Sequence, residues 1–217
     1  MQELFEKLKE ETFIEGIKSI AAYPEQTSDL IRSFKAEIKN QKHLHKYPVE
    51  KLLECLFSAA KAGVSFGPPN NECYIFPRGG SVNLYIGYKG LIKIAYQSKL
   101  IKSMTVDVAY EGDTFEVKNG SAPDIHHVPN INRMGDEKPL AYYAVARLSG
   151  KDGGQLIAYI PEKIMDLKYR KPALQKSRGA NSPWVEHDEE MCKKTVIKKL
   201  LAPLPILKNI EFEPKED

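Results

Sequence analysis

Apolar positions in the first third of the chain recur at helical spacing. Over 29–42, Leu30, Ile31, Phe34 and Ile38 fall on one face, with Thr27 or Ser28 placed to cap it. Over 49–62, Val49, Leu52, Leu53, Leu56 and Ala60 do the same, opened by Pro48 and stopped at Gly63. Both predict core-facing helices. From Cys73 the period becomes two. CYIFP and SVNLYIG flank Arg78-Gly79-Gly80, which predicts a hairpin with Val82, Leu84 and Ile86 on one face and Asn83 and Tyr85 on the other. A helical stripe follows, with Tyr88, Leu91, Ile92, Ala95 and Tyr96 inward and Lys89, Lys93 and Gln97 opposite.

Further strands are expected at 100–110, 113–118, 140–148 and 155–160. Segment 118–139 holds three prolines and two glycines and reads as a long loop. Segment 168–183 is basic and rich in small or breaking residues, and reads as a flexible arm or a loop that orders on binding. A last helix is predicted from Ser182-Pro183-Trp184 to just before Pro203. Helices, then a strand meander, then helices make an α+β fold: an antiparallel β-sheet core packed against helices, with N-terminal helices and a C-terminal basic helix.

Composition narrows the class. At 217 residues, 42% hydrophobic and 28% charged, the chain fits one ordinary globule with a real core. No run approaches a membrane span, and MQELFEKLKEE carries acids where a signal peptide needs an apolar stretch, so a cytoplasmic protein without a membrane partner is expected. Cys55, Cys73 and Cys192 lie far apart and read as reduced thiols. Net charge is only +3, but its distribution is uneven. Windows 73–106 and 167–185 each carry five basic residues and no acid. A surface that holds a polyanion needs such stretches, because a misplaced carboxylate repels phosphates.

Candidate chemistry is mostly absent. No GxxxxGK[ST], GxSxG or HExxH motif occurs, so no ATPase and no ATP cofactor are expected, and Mg²⁺ is possible but not indicated. His126-His127 and His43-x-His45 read as surface or structural histidines, since neighbours on a strand face opposite ways. Asp124, followed by Asp136 and Lys138, mimics a Mg²⁺-nuclease signature, but its DxK sits between Gly135 and Pro139 in a polar loop. Asp107, Glu111 and Asp113 fit either a cation site or a charged strand edge. In Gly87-Tyr88-Lys89-Gly90 the glycines are explained by close strand–helix packing, and Lys89 is kept as a nucleic-acid ligand. Tyr74, Phe76, Tyr85, Tyr88 and Tyr96 interleave with the bases of the first window, and Tyr169 and Trp184 with those of the second. Such rings can stack bases while Lys and Arg take phosphates. Tyr88 and Tyr96 are expected in the core, leaving Tyr85 as the stacking candidate.

NECYIFPRGGSVNLYIGYKGLIKIAYQSKLI, then EGDTFEVKNGSAPDIHHVP, then SPWVEHDEEMCKKTVIKKLLAPLP resemble the RecT family of phage single-strand annealing proteins, Redβ/RecT-like recombinases. The resemblance implies ATP-independent annealing of complementary DNA strands, with no covalent reaction, by an oligomeric ring or helical filament in a bacterial host cell. It implies a basic groove between a β-sheet core and helices that holds single-stranded DNA and annealed duplex. A companion 5′–3′ exonuclease and a host single-strand-binding protein are implied partners. It divides the chain into an N-terminal helical region (1–50), an annealing core (51–205) and a short acidic tail (206–217). Carried over by motif, the groove residues are Arg78, Tyr85, Lys89 and Lys93, with Trp184, Lys193, Lys194 and Lys198. Arg147 and, from the second window, Arg170, Lys171, Lys176 and Arg178 complete the candidate DNA contacts. A Mg²⁺-dependent nuclease and a passive single-strand coat are the alternatives.

Overall fold

The computed structural model describes residues 1–217 except Gly79, 151–152, 177–181 and 208–217, and except the side chains of Arg78 and Leu207. The chain packs as two compact units, Met1–Ile94 and Ala95–Ile206.

The first unit is built on helices α1 (Gln2–Lys7), α2 (Glu11–Ile20), α3 (Thr27–Asn40) and α4 (Val49–Ala62). The apolar stripes are buried as their spacing predicts: Leu30, Ile31, Phe34 and Ile38 of α3, and Leu52, Leu53, Leu56 and Ala60 of α4. Phe34 meets Phe66 edge-on at 5.3 Å, which fixes the chain leaving α4 against α3. Helix α4 ends at Gly63, whose φ of 66° is the left-handed conformation that glycine adopts without strain. The hairpin β1 (Cys73–Arg78) and β2 (Ser81–Ile86) lies on α4, paired from Cys73↔Ile86 to Arg78↔Ser81. Helix α5 (Tyr88–Gln97) follows at once. A Cβ on Gly90 would stand 2.3 Å from the Glu72 carbonyl oxygen, and one on Gly87 would stand 3.3 Å from that of Asn71. The GxxG motif is therefore a packing device, as the spacing of strand and helix led us to expect.

The second unit centres on a three-stranded antiparallel sheet in the order β3 (Ile101–Tyr110), β6 (Pro139–Leu148), β7 (Gln155–Pro161). Strand β6 is covered on both faces, so residues 141–144 are all buried and the alternation of an ordinary half-buried strand is lost. Tyr143 points to the hairpin β4 (Thr114–Lys118) and β5 (Asp124–Val128), its ring 5.3 Å from Phe115. Tyr142 points the other way, where its hydroxyl meets the Cys192 thiol. Beyond β7 come α6 (Glu162–Met165), a π-helical turn (Asp166–Arg170), α7 (Lys171–Lys176), α8 (Pro183–Glu186) and α9 (Asp188–Leu201). Helix α9 lies on the sheet through Cys192, Val196, Ile197, Leu200 and Leu201.

The α+β class with antiparallel sheets holds, and four sequence expectations change. The long loop expected over 118–139 contains β5, because Ile125 and His127 turn inward alternately and pair the strand with β4. The basic arm from 168 is helical as far as Lys176, where the ion pairs described below hold it to the unit. Its residues 177–181 lie outside the described ones. The last helix is broken at His187 into α8 and α9. Tyr96 is exposed rather than in the core, its hydroxyl accepting the Met104 N–H at 2.9 Å, and Tyr88 is half-buried.

The close approach at Gly90 gives a stability test. Gly90→Ala drives the new methyl against the Glu72 carbonyl and is expected to lower stability by roughly 1–3 kcal/mol. Gly16→Ala, on α2 with nothing within 4 Å of the new methyl, is the control. It is expected to raise stability by about 0.5–1 kcal/mol, by helix propensity alone. Urea unfolding midpoints of the two variants check both signs.

Candidate nucleic-acid interface

In the first unit the hairpin presents Tyr85 half-exposed, opposite Tyr74 across the ladder and 6.3 Å from the Phe76 ring. Arg78 closes β1, and its side chain lies outside the description. Lys89, in the first turn of α5, is exposed and makes no ion pair with any described residue. Lys93, one turn on, is different. Its ammonium donates to the Glu72 carboxylate at 2.9 Å, and its side chain is only 27% exposed. Glu72 also accepts the Ser65 N–H at 2.7 Å, so the pair belongs to the scaffold. The expectation of a free Lys93 fails because its acid sits one residue before the acid-free window begins.

In the second unit Arg147 is exposed on β6, in register with Ser103 and Gln155. Arg170 is the largest correction. Its Nε and Nη2 donate to the two Asp188 oxygens at 2.6 and 2.8 Å, and its Nη1 donates to Glu162 at 2.6 Å with Asp166 3.5 Å away. Hydrogen bonds to Asp188 lead the effects that push its pKa further up, and only 16% of the side chain is exposed. Each guanidinium nitrogen already faces a carboxylate, so Arg170 is a poor candidate for a phosphate. Lys171 pairs with Asp166 at 2.7 Å but remains largely exposed. Lys176, at the end of α7, is exposed, and Arg178 lies outside the described residues.

The last helix turns out of register with the expected basic face. Lys194 is 4% exposed and shares the buried face of Ile197 and Leu201, its stem packed with the core. Trp184 is buried and cannot stack a base where it stands. Lys193 pairs with Glu189, and Lys198 is half-buried. Lys199, which the sequence did not single out, is the exposed one; it donates to the Tyr159 carbonyl at 3.0 Å. Sequence reasoning also passed over Lys99 and Lys102, exposed just after Tyr96 at the entry to β3. The signal was present, since both lie in the first acid-free window.

The charged edge at Asp113 is a buried anchor. Its carboxylate accepts the N–H groups of Tyr110 and Asn130 at 2.8 Å each and His127 Nε2 at 3.0 Å, with Arg133 3.5 Å away. His127 Nδ1 meets the Tyr143 hydroxyl at 2.8 Å, while His126 faces outward. Burial alone would raise the Asp113 carboxyl, but these donors outweigh it and hold the pKa at about 2. Among the described residues no three His, Cys, Asp or Glu gather as a metal-ligand set. Asp124 starts β5, where Gln155 donates to it at 3.0 Å, and Asp136 and Lys138 lie in the loop before β6. Burial pushes the Cys55 and Cys192 thiols up to about 12 and Cys73 well above its ordinary value, as for unreactive structural cysteines. No helix among the described residues is long and apolar enough to cross a membrane.

Comparison with known proteins places this scaffold. The sequence pattern of the RecT family matches residues 28–211. The chain belongs to the RecT family. The match starts near the beginning of α3, upstream of the motifs that carry the resemblance in the sequence. The chain is also similar to Protein RecT of Escherichia coli (strain K12), 33% identical over 186 residues. That stretch covers 82% of this chain and 66% of the relative, so this RecT family chain spans just under two thirds of that protein's length.

Two variants separate an exposed lysine from a clamped arginine. Lys89→Glu is expected to weaken single-strand binding while moving stability by no more than ~0.5 kcal/mol, as for an exposed substitution. Arg170→Ala leaves three carboxylates facing one another and is expected to cost on the order of 3 kcal/mol. Thermal melts beside a fluorescence-anisotropy titration read both. Asp113 gives a pH test. Its pKa is depressed on folding, so its contribution is full above the ordinary carboxylate pKa of ~3.9 and is lost as pH falls towards 2. Asp113→Asn should make the fall in stability across that window shallower, as followed by acid titration of the far-UV signal.

Proposed function

We propose that this RecT family chain binds single-stranded DNA and anneals complementary strands without ATP, holding the strands in a basic groove of an oligomer. The observation that carries the reading is family membership across residues 28–211. The exposed cations within the acid-free first window support it: Lys89 in one unit, Lys99 and Lys102 in the other. Two strands repel through their phosphates, and neutralising the backbones while leaving base edges outward lowers the barrier to pairing. Pairing is downhill, so the protein has no covalent step to perform and no triphosphate to spend. Duplex DNA, a 5′–3′ exonuclease and a host single-strand-binding protein remain partners of this proposal, in the bacterial cytoplasm.

Two labelled complementary oligonucleotides, with the protein, with and without Mg²⁺ and ATP, test it. Duplex should appear faster than in the protein-free control in all four mixtures. Shortened strands that need Mg²⁺ would point to the nuclease instead. Protection without faster pairing would leave only a passive coat. Affinity for single strands should also fall with log[salt] at a slope of about −0.7 per phosphate contacted, and a flat response would refute the electrostatic site.

A further inference from the structure

Ile131 and Met134 are the most exposed large apolar side chains among the described residues, at 93% and 90%. They stand on the loop between β5 and β6, and that loop is well tied. Asn130 N–H donates to Asp113 at 2.8 Å, and Asn132 N–H to the Asn130 side chain at 3.0 Å. Met134 and Gly135 N–H donate to the Glu137 carboxylate at 2.7 and 3.0 Å. Arg133, between the two apolar residues, is turned inward. Its guanidinium lies 3.5 Å from Asp113 and 4.5 Å from the centre of the Tyr110 ring. The loop turns Arg133 partly inward, leaves Lys138 exposed, and shows its two large apolar side chains to water, which water disfavours. Its rim carries Glu111 and Asp136 exposed and Glu137 beside them, against the exposed cation Lys138, so its balance is acidic.

The same unit carries a surface of the opposite kind. On α6 and the π turn, Ile164 and Leu167 are exposed one turn apart. Lys163 and Lys168 flank them, exposed and without an ion pair to any described residue, and Lys171 follows on the same side. The acids of this segment, Glu162 and Asp166, are engaged by Arg170 and Lys171.

We propose that these two patches are the halves of one contact between copies of this chain: the Ile131/Met134 loop of one copy seats on the Ile164/Leu167 face of the next. Apolar meets apolar, and an acidic rim meets a basic one. The two patches differ, so each copy keeps one of each to offer, and the contact propagates head to tail into a ring or filament. Bases of DNA are the less fitting occupant for the loop, because Glu111 and Asp136 would repel the phosphates that come with them. This contact rests on the oligomer in the reading above and supplies its geometry.

Cross-linking tests it in the full-length protein. Met134→Cys and Leu167→Cys are made singly, and each is treated with a short thiol-specific bismaleimide, with and without single-stranded DNA. The native cysteines are buried, so background is low. A covalent dimer should form when the two variants are mixed and be absent for either alone. By light scattering, Asp136→Lys or Lys168→Glu should each lower the assembly mass, and combining both reversals should restore it. Ile131→Ser/Met134→Ser should bring the mass towards that of one copy while the melting curve stays in place. No mixed cross-link, or an unchanged mass in the serine variant, overturns the contact. So does loss of DNA binding in that variant with assembly intact, which would put the loop on DNA. Annealing is scored separately: assembly through this contact without annealing sinks the functional reading alone.

Discussion

The Arg170 guanidinium joins three stretches of the second unit. It gathers Glu162 from α6, Asp166 from the π turn and Asp188 from the first turn of α9. Each carboxylate alone would be repelled by the other two, so the cation is what allows the helical segment after β7 and the start of α9 to meet. Helix α9 then lies on the sheet, and Cys192 and Tyr142 close the space beneath the clamp. The same interaction decides what the following segment is. A basic stretch of small and breaking residues would be a loose arm by itself. Anchored at its first turn, it runs as helix to Lys176.

That clamp also marks where sequence reading stops. Helix α4 was legible to the residue, because Pro48 and Gly63 punctuate a clean apolar stripe. Strands β3, β6 and β7 were legible from alternation and branched residues, although β6 lost its alternation once both faces were covered. The packing role of Gly87 and Gly90 was legible too, since a strand ends where a helix begins. Strand β5 was hidden by the prolines around it; what reveals it is the inward turn of His127 to Asp113 and Tyr143.

The site was less legible than the fold. Absence of acids within a window says which cations lack an acid nearby in sequence. It does not say which lack one nearby in space. Lys93 finds Glu72 just outside its window, and Arg170 finds three acids beyond the edges of its own. Lys194 and Lys198, carried over by motif as DNA contacts, form a stripe at spacing four. That stripe leans towards the face of Ile197 and Leu201, and the outward position falls to Lys199. Such reversals are inherent in a helix whose polar and apolar residues are poorly segregated, because the rotation that buries most apolar area is then set by the sheet it meets.

Removing the rivets from the list of ligands has a consequence for mechanism. In the proposed annealing reading, exposed lysines such as Lys89, Lys99 and Lys102 would each meet one phosphate, and neighbours on the same strand would add such weak contacts together. Weak contacts in series suit annealing. A strand held by many separable contacts can shift register against its complement, where a single tight site would trap the first pairing. An annealing protein therefore gains from dividing its basic residues between rivets held in ion pairs and cations left outward. The ion pairs of Lys93, Lys193 and Arg170 follow that division of labour.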